Sequence, residues 1–116
     1  MKIKHLAARI EGCKRDLLSD ETIILQTLEK VVKVLDMRLI KKFIHKFNPG
    51  GGISALFLIA ESHIAFHSWP EIGFADVEIV TCKESADVEK GLEVIVKKLK
   101  PKRVVKKIWE YKMFSR

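Results

Sequence analysis

Cysteine is scarce in this sequence, with only Cys13 and Cys82 present. They make no metal-ligand spacing and no disulfide framework, which points to a reducing cytoplasm. Long hydrophobic runs are also missing. The longest apolar stretch, Ile53 to Ala60, falls far short of the roughly 20 residues that cross a bilayer. Met1-Lys2-Ile3-Lys4-His5 lacks the apolar segment of a secretory signal, so none is expected. Repeats, low-complexity tracts and a composition break are absent too, leaving one domain over residues 1–116. Acidic residues are in deficit: 15 Asp and Glu against 22 Lys and Arg give a formal charge of +7. The basic residues are scattered from Lys30 to Lys107 and follow no zinc-finger, RRM or helix-turn-helix pattern. The excess is read as a solvated face. No nucleic acid, membrane or metal is expected as a partner.

The residues that are present carry clear periods. Ile3 to Ile10 suggests a first strand, ended by Glu11-Gly12. Asp20 can cap a helix running to Asp36, with Ile24, Leu28, Val31, Val32 and Leu35 as its apolar stripe. Arg38 to Phe47 reads as a strand with Leu39, Phe43 and Phe47 on one face and Lys42 and Lys46 on the other. Asn48 to Gly52 breaks it. No Gly-Lys-Ser/Thr follows, so this is expected to be a mobile loop and not a phosphate loop. Strands are expected at Ile53–Ala60, Ile64–Trp69 and, after a turn at Pro70–Gly73, Phe74–Cys82. Ser85 can cap a second helix with Val88, Leu92, Ile95, Val96 and Leu99 as its stripe, stopped by Lys100-Pro101. Arg103 to Phe114 reads as a last strand with Trp109, Tyr111 and Met113 on one side. This order predicts an α+β two-layer sandwich: a largely antiparallel sheet with helices on one face.

Between two apolar strands stand Glu61, Ser62 and His63. Buried without partners, such groups cost roughly 1–3 kcal/mol each, so they are either well paired or kept for chemistry. Residue by residue, several readings stay open. Ser62 lacks a Gly-x-Ser-x-Gly elbow, and strand neighbours such as Ser62 and His63 point to opposite faces. His63 and His67 have no helix and no recognisable third ligand, which argues against a metal. A strand histidine can be a hydrogen-bonded core residue, Glu71 a turn carboxylate, and Cys82 a small buried residue. Phe47 and Trp69 suit either core packing or a ligand. The strand period adds a constraint. Ser62 and His67 are five residues apart, hence about 16 Å apart on opposite faces of a regular strand. Either the strand breaks, or His67 serves the Ser62 of a second chain in a two-fold dimer.

Taken together, Ala60-Glu61-Ser62-His63, His67-x-Trp69-Pro70-Glu71 and Thr81-Cys82 resemble the prokaryotic S-adenosylmethionine decarboxylase proenzyme. Lys4-His5, Gly12-Cys13 and His45-x-Phe47-x-Pro49 extend the resemblance over most of the chain. It implies that the Glu61–Ser62 bond breaks itself, leaving a beta chain, residues 1–61, and an alpha chain, residues 62–116. Ser62 would become the pyruvoyl cofactor, which holds the substrate amine as a Schiff base and acts as an electron sink. His67 and Ser54 match the groups that remove the Ser62 α-proton, and Cys82 matches the acid that reprotonates the product. Glu71 matches the carboxylate that holds the ribose hydroxyls, while Phe47 and Trp69 match aromatics around the adenine and sulfonium. The substrate implied is S-adenosylmethionine, and the product is the aminopropyl donor for polyamine synthesis. Two processed protomers are expected to pair as an αββα homodimer with sites between them. Two departures stand out: the glycine-rich loop between Phe47 and Ser54 is one residue long of the usual pattern, and Lys83 follows Cys82 where glycine is usual. Two alternatives remain: a pyruvoyl-dependent arginine or ornithine decarboxylase, and an unprocessed basic binding module.

Overall fold

Apolar residues at every second position build strands with one buried face, and the computed structural model, which describes residues 2–112, assembles six of them. They are β1 (Lys2–Glu11), β2 (Arg38–Lys46), β3 (Ile53–Ala60), β4 (Ser62–Trp69), β5 (Phe74–Thr81) and β6 (Arg103–Lys112). The helices are α1 (Arg15–Leu18), α2 (Glu21–Val34) and α3 (Val88–Leu99), and a 3₁₀ turn spans Pro70–Ile72. The sheet order is β2-β3-β4-β5-β1-β6, and every pair is antiparallel. The expected α+β sandwich is thus present.

Ile53, Ala55, Phe57 and Ile59 of β3 and Ile64 and Phe66 of β4 point to one side, where α2 and α3 close over them with Ile24, Leu28, Val31, Leu92, Ile95 and Leu99. Phe57 and Phe66 are fully buried, and truncating either to alanine would cost about 3–5 kcal/mol. Asp20 caps α2 by accepting from the Ile23 N–H at 3.1 Å. Ser68, on the buried side of β4, donates to the Leu18 carbonyl at 2.8 Å and accepts from the Ile53 N–H at 3.0 Å. That serine ties α1 and the start of β3 to β4. The Asn48–Gly52 segment is a turn closed by Phe47 N–H to Gly52 O at 2.7 Å and Gly51 N–H to Phe47 O at 2.8 Å. A Cβ on Gly52 would lie 2.6 Å from the Ser68 carbonyl oxygen, so only glycine passes there.

Several expectations need correction. A bulge between Leu39 and Lys41 shifts the β2 register, so Leu39 and Phe43 lie on opposite faces. Past the bulge, Lys42, Ile44 and Lys46 share the helix side, where Lys42 pairs with Glu29 of α2. Phe43 is half exposed on the other face. The cap of α3 is Asp87, not Ser85: its Oδ1 accepts from Glu89 N–H at 3.1 Å and Lys90 N–H at 3.3 Å, next to the buried Val88. The four-residue α1 was not anticipated. Strand β4 begins at Ser62, two residues earlier than expected, and β5 ends at Thr81, leaving Cys82 just beyond it. Met113 and Phe114 lie outside the described residues.

The sheet face away from the helices is uncovered. It exposes Phe43, Leu56, Leu58, Trp69, Trp109 and Tyr111, a wide apolar surface for one small protein.

Candidate active site

The β3–β4 hairpin turns tightly because its ladder runs to Ile59 opposite Ser62, leaving only Ala60 and Glu61 at the tip. The Glu61–Ser62 bond therefore sits at the end of an exposed hairpin. Strand parity places Ser62 with Ile64 and Phe66, on the helix side. Its Oγ is buried with no hydrogen-bond partner among the described residues, an arrangement that costs about 1–3 kcal/mol. Cys82, just past β5, brings its Sγ to 3.4 Å from the Glu61 carbonyl oxygen and 3.7 Å from Glu61 Oε1. Glu61, Ser62 and Cys82 thus form one cluster at the hairpin tip.

A second cluster lies at the opposite end of the same strands. Ser54 of β3 faces His67 of β4, and their Oγ and Nδ1 are 2.7 Å apart. Trp69 follows on the same face and meets Phe74 edge-on with ring centroids 5.1 Å apart. Glu71 is exposed in the 3₁₀ turn, and its Oε2 approaches the Asn48–Gly52 turn: a Cβ on Gly50 would lie 3.2 Å from it. Phe47 is exposed and touches His45 edge-on at 4.5 Å. Phe47 and Trp69 are 53% and 42% exposed, so neither is a core residue.

The two clusters do not meet within one protomer. Ser62 and His67 belong to one uninterrupted strand and point to opposite faces, about 16 Å apart along it. Strand β4 carries no break between Ser62 and His67.

The register brings in two carboxylates that the sequence did not single out. Asp76 stands opposite His67 across the β4–β5 ladder. Desolvation pushes its carboxyl above the usual value, His67 pulls it back, and Glu78 pushes it further up. Glu78 Oε1 is 3.1 Å from His63 Nε2. Only the alternation of β5 could have pointed to this pair, and only once its register against β4 was known.

None of the main cavities is lined by the candidate residues. One of about 1100 Å³ lies among α1, α2 and α3 beside Lys14, Lys30, Lys90 and Lys97. The helix-free face offers an open surface instead. Among the described residues no group of His, Cys, Asp and Glu could hold a metal ion, and no helix is long and apolar enough to cross a membrane.

This chain is similar to known proteins over nearly its whole length. The family model described as S-adenosylmethionine decarboxylase matches residues 4–110. The S-adenosylmethionine decarboxylase proenzyme of Pyrobaculum aerophilum is 38% identical over 101 residues, 87% of this chain and 81% of that one. The proenzyme of Archaeoglobus fulgidus is 34% identical over 98 residues, 84% of this chain and 87% of its own. Among solved structures, the adenosylmethionine decarboxylase from Aquifex aeolicus superposes with a TM-score of 0.88 at 29% identity, covering 97% of this chain and 92% of that one. The Trypanosoma brucei AdoMetDC-delta26 monomer shares the fold at a TM-score of 0.66 and 19% identity, with 89% of this chain matched to 44% of that one.

Proposed function

The chain belongs to the S-adenosylmethionine decarboxylase family, and from that membership we propose a self-processing, pyruvoyl-dependent enzyme that decarboxylates S-adenosylmethionine. The observation that carries the reading is the Ser62 hydroxyl, buried at the tip of a hairpin with no hydrogen-bond partner among the described residues. A group kept there at a cost suits a nucleophile better than a structural residue.

Processing uses the chain's own atoms. The Ser62 oxygen attacks the Glu61 carbonyl carbon, the Glu61–Ser62 C–N bond breaks, and an ester forms with the amine of residue 62 freed. His67, held by Ser54, removes the α-proton of residue 62. The electron pair forms the Cα–Cβ double bond and expels the Glu61 carboxylate as a new C-terminus. The resulting dehydroalanine tautomerises and takes up water, ammonia leaves, and a pyruvoyl group remains on His63. Ser62 supplies every carbon of that group, and the orphaned hydroxyl at this bond is what its formation requires.

The pyruvoyl group supplies an electron sink for the bond that breaks as carbon dioxide leaves. The other residues bind or move protons. Cys82, 3.4 Å from the Glu61 carbonyl, is suited to deliver a proton beside residue 62. Glu71 accepts the ribose hydroxyls, while Phe47 and Trp69 flank the adenine and the positive sulfur, a contact worth about 0.5–2 kcal/mol. The product is the aminopropyl donor for polyamine synthesis.

Completing the site takes a second copy. An αββα dimer packed through the helix-free faces would cover the exposed aromatics and supply His67 of the partner subunit for the α-proton of residue 62 at the hairpin tip. The free thiols Cys13 and Cys82 suit a reducing cytoplasm.

Intact-mass measurement after long incubation tests the reading. Two fragments, residues 1–61 and 62–116, with the second blocked at its N-terminus, are expected, and Ser62→Ala should stay whole. A wild-type chain that remains at full-length mass would favour an unprocessed binding module.

A further inference from the structure

The proposed cut between Glu61 and Ser62 turns the first residue of β4 into a chain end, and chain ends fray unless something ties them down. The following inference rests on that self-processing. On the β3 side, the last ladder pair is Ile59 with Ser62, and after the cut Ile59 belongs to the other fragment. On the β5 side, the ladder begins one residue later, at His63 opposite Val80. Residue 62 is thus an overhang beyond β5, and its direction depends on how firmly His63 is held.

His63 has a side-chain tie of its own. Its Nε2 lies 3.1 Å from Glu78 Oε1, with the two side chains 40% and 44% exposed on the helix-free face. Val80 is directly opposite His63, so Glu78 is its diagonal neighbour, within reach of a long side chain. The Ser62 hydroxyl has no hydrogen-bond partner among the described residues, and Ile64 is apolar and buried. Among the described residues, this is therefore the polar side-chain link from the first three residues of β4 to β5. It can form whether the ring is neutral with its proton on Nε2 or doubly protonated, since Nε2 donates in both.

We propose that His63 and Glu78 form a positioning clamp for the processed chain end, holding the group made from Ser62 in a fixed direction beside Cys82. His63 supplies the nitrogen to which that group stays bonded, so anchoring the ring to β5 limits how far the end can swing. In the uncut chain the hairpin turn already does this, and the clamp is dispensable. Its effect is confined to the cut protein, which separates it from an ordinary stabilising ion pair.

Backbone hydrogen exchange at residues 63–65 tests this in Glu78→Ala and its parent, each in the cut protein and in the uncut Ser62→Ala background. Glu78→Ala should speed exchange there about ten-fold in the cut protein and less than about two-fold in the uncut one. In the cut protein kcat should fall about ten-fold with KM unchanged, and Glu78→Gln, which keeps an acceptor oxygen for Nε2–H, should restore both. His63→Phe, which keeps a ring and removes the donor, is measured alongside and guards against a Glu78 variant that loses protection throughout the sheet. Equal exchange effects in cut and uncut proteins would overturn the clamp alone. A wild-type chain that never cuts itself would overturn the clamp and self-processing together.

Discussion

Ser54 Oγ lies 2.7 Å from His67 Nδ1 because the two residues face each other across the β3–β4 ladder, on the helix-free side of the sheet. A serine on Nδ1 fixes the ring's orientation and leaves Nε2 pointing away for a reacting partner. In the proposed function His67 is the base and Ser54 its holder, roles this contact suits.

If so, His67→Ala should accumulate the Ser62 ester and slow formation of the blocked alpha chain by about a hundred-fold or more. Ser54→Ala, which removes one orienting hydrogen bond, should slow it only about ten-fold. Hydroxylamine cleaves the accumulated ester into a fragment beginning with an unblocked Ser62, and a mass time course distinguishes the two variants.

In the proposed function Cys82 serves the later chemistry. It touches Glu61 but does not face His67, so Cys82→Ala should still cut the chain while losing about a hundred-fold in decarboxylase turnover. Full turnover in that variant would remove Cys82 from the proton-donor role.

The separation of Ser62 from His67 gives a test of assembly. When Ser62→Ala and His67→Ala chains are produced together, a mixed dimer pairs an intact Ser62 on one subunit with an intact His67 on the other. At equal production about half of the His67→Ala chains should then be cut, the share that random pairing places in mixed dimers, while each variant alone stays uncut or stalls. No rescue on co-production would mean that His67 acts within its own chain.

Much of this was legible in the sequence, and the misses have physical causes. The α2 stripe and the alternation of β3 were readable because local period and burial agree there. In strand β2 Leu39 was grouped with Phe43 because a bulge reverses parity without changing composition, while Lys42 and Lys46 do share the face opposite Phe43. Asp87 outcompeted Ser85 as a cap because the helix starts where Val88 enters the core. At the site, the opposed faces of Ser62 and His67 followed from the two-residue strand period alone. Asp76 and Glu78 did not, because their meeting with His67 and His63 depends on the β4–β5 register, which the turn around Pro70–Gly73 sets.

Asp76 gives a pH prediction with a definite sign. Desolvation is the largest influence and raises its carboxyl above 3.8, with His67 opposing and Glu78 adding to it. The folded state then binds the proton more tightly than the unfolded state, so stability is lost as pH rises through the folded value. In the uncut Ser62→Ala background, Asp76→Asn should raise Tm at neutral pH by about 1–3 °C, a small gain because the residue is exposed overall. At about pH 3.5 the gain should vanish, since both states are then largely protonated. An equal change at both pH values would place the effect in packing and not in the charge.

The choice of substrate turns on Glu71. Its carboxylate is exposed beside the Asn48–Gly52 turn, near the end of the sheet where Phe47 and Trp69 show their rings. A nucleoside needs flat partners and an acceptor for its vicinal hydroxyls, and these three residues offer both. Arginine and ornithine have no adenine or ribose, so these groups would contribute little to binding them. A ribose hydrogen bond to a charged carboxylate is worth roughly 1.5–3 kcal/mol, or about ten- to a hundred-fold in kcat/KM. Glu71→Gln should lower kcat/KM for S-adenosylmethionine by about that factor while leaving self-cleavage largely intact, because Ser62 and His67 are unchanged. Carbon dioxide release from S-adenosylmethionine, arginine and ornithine, measured on processed wild type and this variant, checks the assignment. Release from arginine or ornithine but not from S-adenosylmethionine would keep the processing chemistry and replace the substrate.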